Sequence, residues 1–121
     1  MRIPKEILMR EEIKEKAEKI AGYLTDHRCL DVEIIDLTPE CSWTDAFVIG
    51  TVTSTGHLKG VVHQIWDLFN ELGMKVENRH KNPGTDGWEL IDLGDVVVHL
   101  MSSEMREFYN LEKLWKKVET M

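Results

Sequence analysis

The stretch Ala46-Phe47-Val48-Ile49-Gly50-Thr51-Val52-Thr53-Ser54 decides the architecture of this chain. Its continuous apolar run suits a central strand covered on both faces, where the usual alternation of buried and solvated side chains is lost. Ser54 then reads as an N-cap, because its hydroxyl can accept from a free amide in the first turn of a following helix. Leu58, Val61, Val62, Ile65, Leu68, Phe69 and Leu72 follow at three- and four-residue spacing, which predicts an amphipathic helix that Gly73 is placed to end.

Upstream, Ile13, Ala17, Ile20, Ala21 and Leu24 fall on one face of a helix running from about Lys5 to about His27. The intervening glutamates and lysines read as its solvated side. Asp31 to Leu37 alternates and predicts a strand with at least one buried face. Downstream, Met74-Lys75-Val76-Glu77 predicts a short strand. If it lies parallel to the Phe47 strand, the crossover through the intervening helix is right-handed. Arg79 to Gly87 reads as loop, carrying Pro83-Gly84 and Asp86-Gly87. Trp88 to Leu93 and Val96 to Met101 predict two strands joined at Gly94-Asp95, a two-residue hairpin signal. Phe108, Leu111, Leu114, Trp115 and Val118 mark a C-terminal helix. The order α-β-β-α-β-β-β-α predicts a single α/β domain over residues 1–121, a mixed β-sheet of about five strands with helices packed against it.

At 121 residues the chain is long enough to bury a core without a metal or disulfide. Cys29 and Cys41 match no common zinc or redox spacing. The first residues lack the apolar centre of a signal peptide, and no run approaches the ~18 apolar residues of a membrane span. The expectation is a reduced, cytoplasmic protein. Its net charge of −7 opposes general affinity for nucleic acid and favours approach to a basic protein surface.

The case for chemistry is thin. The turn from Gly50 to Gly56 superficially resembles a phosphate-binding loop, but neither glycine-rich phosphate fingerprint is present, and simple helix capping is the stronger reading. Asp92 and Asp95 could pair at a metal. The alternative, that Asp95 shapes the turn while Asp92 projects outward from its strand, is preferred. His57 and His63, six apart, face different ways on a helix, and His99 reads as a core histidine more readily than as a ligand. No catalytic group, cofactor or metal site is expected.

The end of the chain is more distinctive. Gly87-Trp88-Glu89-Leu90-Ile91-Asp92-Leu93-Gly94-Asp95-Val96-Val97-Val98-His99 is followed by Arg106-Glu107-Phe108-Tyr109-Asn110-Leu111-Glu112-Lys113-Leu114-Trp115. This pair of motifs resembles the bacterial ribosomal silencing factor family, also called Iojap or DUF143. Asp45-Ala46-Phe47-Val48-Ile49 and Thr53-Ser54 are similar to an upstream block of the same family, with Ala46 for the usual aromatic, Val52 for a small residue and Gly56 where a basic residue is common. The resemblance implies a nucleotidyltransferase-like topology without catalysis. It implies binding to the large ribosomal subunit through ribosomal protein L fourteen, a basic protein on the subunit-joining face. It also implies steric blocking of the small subunit, lower translation under nutrient limitation, and a possible homodimer off the ribosome. By position in the matched motifs, the candidate contact residues are Trp88, Leu90, Asp92, Asp95, His99, Arg106, Tyr109, Glu112 and Trp115. Packing is the competing role for Trp88, Leu90 and Trp115, and internal pairing for Arg106 and Glu112. The competing functional reading is a nucleotidyltransferase-like, phosphate-handling enzyme built on the Thr53-Ser54 turn and the Asp92/Asp95 pair.

Overall fold

Helix α1 (Glu11–Asp26) buries Ile13, Ala17, Ile20 and Leu24 and carries Glu11 and Glu12 at its positive end. The computed structural model describes residues 11–37, 44–81 and 88–109, so the expected start of this helix near Lys5 lies outside the described residues. The helix closes in a Schellman arrangement. Cys29 N donates to Leu24 O at 2.9 Å and Arg28 N to Thr25 O at 3.0 Å, with Arg28 at φ 67°.

Strand β1 (Leu30–Asp36) runs antiparallel to β2 (Ala46–Val52). Their register shifts between Leu30 and Glu33, and Asp31 takes φ 47° there. Every residue of β2 is buried, as its unbroken apolar run predicts. Gly50 lets α1 approach this closely, since a Cβ there would meet Leu24 Cδ1 at 3.2 Å and Cys29 Cβ at 3.3 Å. Helix α2 (Thr55–Glu71) follows, capped by Ser54 and buried through Leu58, Val61, Val62, Ile65 and Phe69. Tyr23 Oη ties α1 to it by donating to Val61 O at 2.7 Å. The helix ends as expected: Gly73 has φ 67°, with Met74 N donating to Phe69 O at 2.9 Å.

The third strand corrects the sequence reading. Met74–Glu77 is not a strand; β3 is Asn78–Lys81, which overlaps the start of the stretch read as loop, and it pairs antiparallel with β4 (Trp88–Asp92) at the sheet edge. The parallel partner of β2 is instead β5 (Val96–Ser102), with Phe47 opposite Val97 and Ile49 opposite His99. A polar run such as Asn78-Arg79-His80-Lys81 has no burial period to reveal it; its backbone pairing alone makes it a strand. The five strands lie in the order β1-β2-β5-β4-β3, a mixed sheet as expected.

The alternation of strand side chains divides the core in two. Val48, Val96, Val98 and Leu100 meet α1 and α2 on one face. Phe47, Ile49, Val97 and Met101 join Ile35 and Leu37 on the other, with Trp88, Leu90 and Met105 packed against them. Helix α3 (Ser103–Tyr109) leaves β5 on this second side.

Candidate partner-binding face

The described parts of both C-terminal motifs, residues 88–99 and 106–109, fall on one piece of the fold, the β4–β5 hairpin and the helix it leads into. The hairpin closes through Leu93 N donating to Val96 O at 2.8 Å, around Gly94 and Asp95, and Gly94 adopts φ 88°. Here the two aspartates exchange their expected parts. The Asp92 carboxylate turns back and accepts from Gly94 N at 2.8 Å, so it is Asp92 that shapes the turn with its side chain. Asp95 is exposed and works through its backbone: its carbonyl accepts from Asp45 N at 2.9 Å and Ala46 N at 3.2 Å, which pins the turn to the start of β2. Among the described residues no group of three or more His, Cys, Asp or Glu side chains converges as a metal site.

Trp88, Leu90 and His99 meet on the second face of the sheet, because Leu90 lies opposite His99 and Trp88 opposite Met101. His99 is 3% exposed. Its Nδ1 accepts from Trp88 Nε1 at 3.1 Å, and Phe47 packs edge-on at a centroid distance of 4.4 Å. Burial pushes the imidazole down to about 4 from its ordinary 6.5. Protonation would also set an N–H on Nδ1 against the indole N–H. The side chain is therefore neutral near pH 7, with its proton on Nε2, which meets no hydrogen-bond partner. This is the core histidine that the sequence favours, and it holds the half-buried Trp88 in place. Trp88 and Leu90 keep part of their surface accessible.

Arg106, 8% exposed, is likewise turned inward. From α3 its Nη1 donates to Thr51 Oγ1 at 2.9 Å and to Leu30 O at 3.3 Å, while Nη2 lies 3.4 Å from Glu33 Oε2. The foreseen internal pairing of Arg106 and Glu112 involves a residue outside the described ones, as is Trp115; within the described residues Arg106 pairs with Glu33 on β1. Tyr109 ends α3. No local signal marks Thr51 or Glu33 as partners of Arg106, since both stand more than fifty residues away in sequence.

The Thr53-Ser54 turn is closed on itself. Ser54 Oγ accepts from His57 N at 3.0 Å, the predicted cap. His57 Nδ1 accepts from Thr53 N at 3.0 Å, which leaves Nε2 to donate to His27 O at 2.7 Å. This second cap was missed in sequence, although a histidine three residues past a serine cap is the available signal. No helix among the described residues is long and apolar enough to cross a membrane.

Comparison with known proteins gives a consistent result. The family model described as "Ribosomal silencing factor during starvation" matches residues 10–121. A mouse protein named "Mitochondrial assembly of ribosomal large subunit protein 1" is 38% identical over 81% of this chain, which spans 44% of the mouse protein's length. "Ribosomal silencing factor RsfS" of Treponema pallidum is 34% identical over 83% of this chain and 89% of its own. The Bacillus subtilis protein of the same name is 37% identical over 78% of this chain and 80% of its own. A crystal structure of a Chromobacterium violaceum protein superposes with a TM-score of 0.77 at 26% identity, covering 86% of each chain.

Proposed function

The chain belongs to the ribosomal silencing factor family, and from that premise we propose that it is a cytoplasmic regulator of translation acting by occupancy, without catalysis. It binds the large ribosomal subunit through ribosomal protein L fourteen, covers the surface on which the small subunit docks, and lowers translation when nutrients are scarce. The observation that carries this reading is that the described parts of both family motifs, residues 88–99 and 106–109, lie on one continuous piece of structure, the β4–β5 hairpin and α3. The mouse relative, named for assembly of the large subunit, supports the choice of particle.

In this reading Trp88 and Leu90 supply apolar contact, and Asp95 supplies the charge that meets a basic partner. Asp92 contributes through the turn it shapes. His99 and Arg106 act from beneath, the first by holding the Trp88 indole and the second by fastening α3, whose last residue is Tyr109. Glu112 and Trp115 complete the proposed contact set by their place in the motif. At the Thr53-Ser54 turn the Thr53 amide, the Ser54 hydroxyl and the His57 amide are engaged with one another's residues, which supports occupancy over chemistry.

A molecule that holds one face of the large subunit shifts subunit joining by mass action, in proportion to its free concentration over its dissociation constant. The test mixes stoichiometric protein with separated subunits and follows joining by gradient sedimentation. A rise in the free-subunit fraction is expected, and unchanged joining refutes the proposal. Asp95→Lys should weaken co-sedimentation with large subunits without lowering the melting midpoint.

A further inference from the structure

The hairpin turn sits at the start of β2 and β5; the other end of these two seven-residue strands lies roughly 20 Å away. There the first turns of α2 and α3 and the beginning of β1 enclose two adjoining cavities of about 420 and 670 Å³, which share Leu30, Thr51 and Ser103. Leu30, at their junction, is 53% exposed. Single exposed leucines are ordinary, but this one stands between two concavities, beside the half-buried Val32, on a strand that forms the edge of the sheet. Among the described residues β1 pairs with β2 alone, so apart from Leu30 O, which accepts from Arg106, its outer row of backbone donors and acceptors can take an added chain.

The charge around this groove has one sign. Asp31, Glu104 and Glu107 line it, all exposed, and among the described residues none of the three has an ion pair or side-chain hydrogen bond. Arg106 is the one cation among the lining residues, and its guanidinium is committed to Thr51, Leu30 and Glu33. A second copy of this chain, also at −7, would bring like charge to like, and a nucleic acid would meet carboxylates where it needs cations. We propose that this groove is a second protein-docking site, on the β1 side of α3 and at the opposite end of the sheet from the Asp92–Asp95 turn, and that it takes an extended segment of a partner protein in which an aliphatic side chain stands between Lys or Arg residues. The aliphatic group covers Leu30 and Val32, and the flanking cations face Asp31, Glu104 and Glu107. Such a segment would bind beside the α3 residues assigned to the first face and leave the hairpin turn uncovered.

The test titrates the isotopically labelled full chain with a synthetic peptide of alternating lysine and valine, and in parallel with its glutamate-valine counterpart, while recording amide chemical shifts. The lysine peptide should give saturable shifts concentrated at residues 30–33 and 103–107, and the glutamate peptide none. The double variant Glu104→Lys/Glu107→Lys, altered only at exposed positions, should weaken the lysine peptide by roughly tenfold, Leu30→Ser should weaken it as well, and Asp95→Lys should leave it unchanged. The proposal is overturned if the shifts spread without saturating, if they centre on the hairpin, if both peptides bind alike, or if sedimentation shows that two copies of this chain pair through Leu30.

Discussion

Lowering the pH from 7 to 5 should weaken this protein through His99 in particular. In the folded chain the imidazole titrates at about 4, against 6.5 when solvated. The unfolded state therefore binds the proton more readily, and stability falls as pH drops through 6.5 and levels off near 4. A shift of that size is worth about 3 kcal/mol over the whole window, of which about 2 kcal/mol is lost by pH 5. Against a total stability of roughly 5–15 kcal/mol this is a large fraction, and it should move a urea midpoint by roughly 1 M. To isolate His99, the comparison is with His99→Gln, whose side-chain carbonyl can still accept from Trp88 Nε1. The variant should lose about 2 kcal/mol less than the parent between pH 7 and 5. Equal losses in the two proteins would refute the assignment of a buried, neutral imidazole.

Arg106→Met should cost about 3 kcal/mol in urea unfolding, because it strips two hydrogen bonds from a charged donor and leaves the buried Thr51 hydroxyl without it. Glu33→Gln should cost under about 1 kcal/mol, since the Glu33 side chain is 33% exposed and can rehydrate; equal effects would contradict this division. Arg28→Gly should raise stability by up to about 1 kcal/mol, as it relieves a left-handed backbone that Gly73 adopts freely at the corresponding place in α2. A fall in melting midpoint would show instead that the arginine side chain contributes more than the strain costs. Ser54→Ala should cost about 1 kcal/mol by removing the α2 cap; an unchanged midpoint would mean that His57 alone holds this turn.

Apart from the third strand, the sequence by itself determined the type and order of the elements, the full burial of β2, the Ser54 and Gly73 boundaries of α2, and the Gly94-Asp95 hairpin. Each is a local matter: the burial period is 2 or 3.6 residues, and caps and turns act over three or four. It also carried the family, through motifs whose residues are contiguous. The tertiary structure alone decided that β5, and not residues 74–77, lies parallel to β2, and that the polar run Asn78–Lys81 forms an edge strand. It decided that Asp92 rather than Asp95 shapes the turn with its carboxylate, and that Arg106 reaches Glu33 and Thr51 on strands far away in sequence. Pairings of this kind depend on which strands become neighbours, a property of the whole topology, while hydrophobic periodicity records only whether a side chain is buried and not against what.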